Sequence, residues 1–215
     1  MTRAVVFASV FGMGAFAAWL LHPVLAQDGP SALRIPLVQN DTTDPDAAEL
    51  LAEIRKRGTE PLNIHRTYAN APKIARQLNA VAYALRYDAQ VPRADRELII
   101  LRATQNGYGH YQFSEHADIA LSCGISKEQI AALARWRESA LFSERQRAIL
   151  AYADGMVSVA GVDDATFEAM KHHFSIKEIV ELTMTGAYYN ASGQVTRALG
   201  VQLQQNRERL SYGNC

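Results

Sequence analysis

Two residues in the 215-residue chain have the types and spacing to move a proton: Glu97 and His116. They lie in the run RADRELIILRATQNGYGHYQFSEHADIALSCGISKEQIAAL, residues 93–133, where most other ionisable groups read as solvated. His116 shares a helical stripe with Gly109, Gln112, Ile119, Ala120 and Cys123, which is the spacing of a buried face. A Glu and a His held across a helix pair can share a proton, the carboxylate orienting the imidazole and the imidazole moving the proton. The alternative is a buried Glu–His pair that only ties two helices together.

Three helices must position this pair. The first starts near Arg93 and carries Glu97 with Leu98, Ile100 and Leu101; Asn106-Gly107 breaks it. The second runs from about Tyr111 to Cys123, with Gly124 as its stop. Ser126 and Gln129 form a capping box that opens the third. Further capping boxes, Ser143/Gln146 and Ser175/Glu178, open helices predicted to reach about Val159 and about Leu199. Between them, Asp163 or Asp164 caps a short helix to about His173. Upstream, the pattern predicts a helix over 47–57 ended by Gly58 and a helical or turn-like stretch over 61–71. A helix from Pro72 to about Tyr87 follows, with Ile74, Leu78, Val81, Ala82 and Leu85 as its apolar stripe. No segment alternates as a strand does, so the fold class is all-α. A shift of 49 residues lays Arg96 on Arg145, Ile100 on Ile149, Ser126 on Ser175 and Leu133 on Leu182, a possible internal repeat of a helix unit. At that shift Glu97 falls on Gln146 and His116 on Ala165, so only the first copy holds the pair.

Composition narrows the classes. A net charge of zero leaves no basic footprint for nucleic acid, and no Lys/Arg cluster suggests an anionic membrane surface. Residues 1–26 read as a signal peptide: Arg3 is the positive start, Ala4–Leu21 the apolar run, and Val24-Leu25-Ala26 the cleavage site. The expected location is periplasmic or secreted, with an N-terminal membrane anchor as the alternative. An extended leader over 27–46, the helical domain over 47–205 and a polar tail over 206–215 complete the organisation. Cys123 and Cys215 are few for an exported protein, and are expected as one inert core thiol and one exposed thiol rather than a bond. No His/Asp/Glu set has metal-ligand spacing, and no cofactor is expected. His172-His173 read as surface residues. Tyr188-Tyr189-Asn190 read as core and subunit contact rather than pocket, and Arg55, Lys56 and Arg57 as a solvated face.

The run from Arg96 to Ile130, with Glu97 on one helix and Tyr111-Gln112-Phe113-Ser114-Glu115-His116 opening the next, resembles the carboxymuconolactone decarboxylase-like family of the alkylhydroperoxidase D-like superfamily. The downstream run from Arg147 to Asn190 resembles its C-terminal half. The resemblance covers roughly residues 62–201. It implies an all-helical domain, homotrimers or homohexamers, and decarboxylation or isomerisation of a small cyclic organic acid, lactone or aromatic-derived. It casts Glu97 and His116 as catalytic, His116 as proton donor, with His110, Tyr111 and Gln112 as substrate-binding groups at the pocket mouth. Thiol members of the superfamily carry a Cys-x-x-Cys pair, and those positions are Gly109 and Gln112 here. Neither an amide nor a glycine replaces a thiolate, so hydroperoxide-reductase chemistry is not expected. The alternative to an enzyme is a ligand-binding or assembly protein that keeps the fold.

Overall fold

A computed structural model of the chain describes residues 33–204 and Cys215. The expected signal peptide, the start of the leader and most of the polar tail lie outside the described residues. Among the described residues the regular structure is entirely helical, and no helix is long and apolar enough to cross a membrane. The helices are α1 (Pro45–Lys56), α2 (Asn63–Tyr68), α3 (Pro72–Tyr87), α4 (Arg93–Asn106), α5 (His110–Ser122), α6 (Lys127–Ala132), α7 (Glu144–Val157), α8 (Asp164–His173) and α9 (Ile176–Leu199).

Local chemistry accounts for most of the boundaries. The three predicted capping boxes are present at Ser126, Ser143 and Ser175, each hydroxyl accepting the backbone N–H three residues on. Asp163 rather than Asp164 caps α8. Helix α1 begins two residues earlier than predicted, because the Asp44 carboxylate accepts the N–H groups of Asp46 and Ala47 and Pro45 suits the first turn. Gly200, at φ +66°, ends α9 in the left-handed conformation. The proposed repeat is not reproduced in element lengths, since α6 has 6 residues where α9 has 24.

Helix α4 is the centre. Leu98, Ile99, Ile100, Leu101 and Ala103 are buried around its whole circumference, and α5, α7 and α9 pack against it. The main core gathers Leu98, Ile99 and Leu101 with Leu133, Trp136, Ile149, Leu150, Met170 and Leu182. A second, smaller cluster (Leu50, Leu51 and Ile54 of α1 with Ala69 and Ala75) holds the N-terminal helices together.

Two expectations are corrected. The apolar stripe of α3 is not core in one chain: Ile74 is 67 % exposed and Val81 47 %, and only Ala75 is buried. Periodicity reports which face avoids water, not what covers it. Cys123 and Cys215 are not separate thiols but a disulfide, their Cα atoms 5.0 Å apart. Sequence separation carries no information on that distance; the packing of the C-terminal residue against the end of α5 does.

Candidate functional site

The site begins at the junction of α4 and α5. Gly109 and Gly193 meet so closely that a Cβ built on Gly109 would stand 2.8 Å from the Cα of Gly193. Two glycines therefore let the start of α5 press against α9. That contact brings the His116 face of α5 against Tyr189 and Ser192, which lie on one face of α9 with Thr196.

Glu97 and His116 are brought together as expected. Both are buried, at 0 % and 2 % exposure, and His116 Nδ1 lies 2.7 Å from a Glu97 oxygen. The other Glu97 oxygen accepts Arg93 Nε at 2.6 Å, one helical turn away. Burial alone pushes the Glu97 carboxyl up, but His116 and Arg93 outweigh it and hold the carboxyl below its ordinary value. Burial also pushes the His116 imidazole down; Glu97 opposes this, Arg86 and Arg93 add to it, and the result lies below the ordinary histidine value. The two directions fit one assignment. Glu97 is a carboxylate paired with Arg93, and His116 is a neutral ring donating Nδ1–H to it, with Nε2 left as a lone-pair acceptor. The Tyr189 ring stands edge-on to the imidazole, 4.4 Å between centroids, and fixes its plane.

His116 lines a cavity of about 110 Å³ between the N-terminal helices and the α5–α9 pair. Among the described residues six tyrosines line it: Tyr68, Tyr83, Tyr87, Tyr111, Tyr188 and Tyr189. Of the predicted binding residues, Gln112 and Tyr111 line the cavity. Gln112 donates to Ser192 Oγ at 2.6 Å, and Ser192 also bonds the Tyr68 side chain. The Tyr111 hydroxyl pairs with Gln204. His110 is a correction: at the first position of α5 it points outward, is exposed, and does not line the cavity. Tyr188 and Tyr189, read from sequence as core and subunit contact, are cavity walls. Among the described residues no three His, Cys, Asp or Glu side chains are grouped as a metal ion needs.

Sequence reading missed Arg93, His65, Asn79 and Arg86. The Arg93–Glu97 spacing of four was a visible signal for the first. His65, Asn79 and Arg86 carry no local signature, because they reach the cavity from α2 and α3, far along the chain from His116.

Residues 72–155 match the carboxymuconolactone decarboxylase family. An uncharacterized protein of Escherichia coli K12, YnjA, is 34% identical over 80 residues, a stretch that spans 37% of this chain and 44% of that relative. An alkylhydroperoxidase AhpD core structure, a peroxidase-related protein from Ralstonia eutropha JMP134, superposes with a TM-score of 0.69 at 21% identity over 80% of this chain and 92% of its own. The apo debrominase Bmp8 superposes with a TM-score of 0.66 at 19% identity over 81% and 93%. At these identities both structures speak to the fold alone. The matched segment spans α3 to α7, and the helical body superposes on an AhpD core: the chain carries a stretch similar to the carboxymuconolactone decarboxylase family on a fold similar to that of the AhpD core.

Proposed function

We propose that this protein is a cysteine-independent acid/base enzyme, a lyase or isomerase acting on a small cyclic organic acid of lactone or aromatic-derived type. The observation that carries the reading is the buried line Arg93–Glu97–His116, with links of 2.6 and 2.7 Å, ending at a tyrosine-walled cavity. Glu97 holds the proton of His116 on Nδ1, so Nε2 is the nitrogen offered to a ligand. A neutral imidazole acts first as a base: Nε2 takes a proton from an acidic C–H, and Glu97 stabilises the imidazolium that forms. This reverses the order in which His116 is only a donor. In an isomerisation the same proton returns to another carbon. In a decarboxylation the C–C bond pair passes to the ring carbon as carbon dioxide leaves, and one proton drawn from water reaches that carbon through Nε2.

Thiol peroxidase chemistry has less support. The two cysteines of the chain are bonded to each other and neither lines the cavity. A side chain at Gly109 would meet the backbone of α9. The Bmp8 debrominase has also been solved with 2,3,4-tribromopyrrole, which supports a small ring as the kind of ligand this fold encloses, by analogy of fold only. Export to an oxidising compartment belongs to the same reading and is supported by the Cys123–Cys215 bond. So does a homotrimer or homohexamer, supported by the exposed apolar residues Ile74 and Val81 of α3 and Val180 and Met184 of α9.

The test is carbon-acid exchange in D₂O, followed by proton NMR over a panel of lactone and aromatic-ring carboxylates. His116→Ala is expected to slow exchange by about 10²–10⁴-fold. Glu97→Gln is expected to fall as far while keeping its circular dichroism. Arg93 would hold the amide oxygen, the amide NH₂ would face Nδ1, and the ring proton would move to Nε2. Exchange at the wild-type rate in both variants would sink the reading.

A further inference from the structure

The cavity contains a second imidazole. His65, on α2, lies outside the segment that matches the family. Its Nδ1 accepts the Leu62 backbone N–H at 2.9 Å, so the neutral ring carries its proton on Nε2. Burial first, then the guanidinium groups of Arg86 and Arg66, lower its pKa to about 4, which keeps the ring neutral near pH 7. On α3, the Asn79 amide nitrogen is buried with no hydrogen-bond partner, although the residue lines the cavity. A buried donor left unmade costs free energy that a ligand oxygen would recover. Arg86 lines the same cavity, and its charge acts on both His65 and His116.

The two imidazoles are thus set in opposite senses. His116 offers a lone pair, and His65 offers an N–H. Among the described residues the ionisable lining also leans positive, with Arg57 and Arg86 beside the carboxyl of Glu115. A cavity of about 150 Å³ takes a benzene ring, so about 110 Å³ limits the enclosed part of a ligand to a single small ring.

We infer that His65, Asn79 and Arg86 form the receptor for an anionic oxygen of the ligand, a carboxylate or enolate on a single small ring, and that binding there turns the ring's acidic position toward His116. The inference rests on the proposed acid/base reading for its orientation, but the receptor can be tested without it. The neutral N–H donors of His65 and Asn79 suit an oxyanion, because they stabilise it without giving up a proton to it.

The experiment is calorimetric titration of the full chain with benzoate and with its uncharged counterpart benzamide, alongside ¹⁵N NMR of the histidine rings. Benzoate is expected to saturate the wild-type protein at millimolar concentration or below and to shift the His65 Nε2–H resonance. Asn79→Ala and His65→Leu are each expected to weaken benzoate about tenfold or more, the range for a hydrogen bond to a charged group, and to weaken benzamide less. Asn79 bonds nothing in the protein through its amide nitrogen, so that variant reads binding even where His65→Leu disturbs the start of α2. Benzoate that fails to bind, or that binds both variants as it binds wild type, overturns the receptor. That second result leaves the D₂O test of His116 untouched. Weakened binding in both variants, together with undiminished exchange in His116→Ala, upholds the receptor and removes the acid/base reading instead.

Discussion

Acidification from pH 7 to pH 5 is expected to destabilise the protein through its buried histidines, and His65 allows the size to be worked out. Its pKa is about 4 in the folded chain against 6.5 for the free group. The sign follows from proton counting. Between these values the unfolded chain binds the proton and the folded chain does not, so stability is lost as pH falls below 6.5. At about 1.4 kcal/mol per pH unit, the loss from His65 is about 2 kcal/mol at pH 5 and about 3 kcal/mol at pH 4. His116, also lowered, acts in the same direction. Ordinary carboxyl groups titrate mainly below pH 5, so the window from pH 7 to pH 5 reports mainly the histidines. The assay is urea unfolding followed by circular dichroism at pH 7 and pH 5, for wild type and for His65→Gln, which keeps an acceptor for the Leu62 N–H. Wild type should lose about 2 kcal/mol more than the variant across that window. Equal losses in the two proteins would refute the assignment of His65 as a neutral, cavity-facing ring.

Gly109→Ala is expected to cost about 1–3 kcal/mol in thermal unfolding, because its Cβ would stand 2.8 Å from the Gly193 backbone and α9 must move; unchanged stability would show that the junction yields freely. Reduction of Cys123–Cys215 opens a loop of 92 residues in separation and is expected to cost about 2–4 kcal/mol while leaving D₂O exchange unaltered. Loss of exchange on reduction would return a thiol to the mechanism. Light scattering at micromolar concentration is expected to give a trimer or hexamer, with Val81→Lys shifting it toward monomer; a wild-type monomer would count against the covered apolar face.

What the sequence determined by itself is short-range. Capping boxes at Ser126, Ser143 and Ser175 are spelled by residues three apart, and a helix closes its bonds over four, so boundaries were legible to within a few residues. Glu97 and His116 were also legible, because each sits on a stripe whose neighbours must be buried. Tertiary structure decided the rest. The lone pair offered by His116 depends on Nδ1 reaching the Glu97 carboxylate, a matter of ångströms between α4 and α5. The close pass of Gly109 and Gly193 joins α5 to α9 across 84 residues of chain. His65, Asn79 and Arg86 face His116 only because α2 and α3 fold over α5 and α9. Cys215 meets Cys123 although 92 residues separate them in sequence. Such contacts depend on how helices stack, and hydrophobic periodicity marks the face a helix buries without naming its partner, as the exposed stripe of α3 shows.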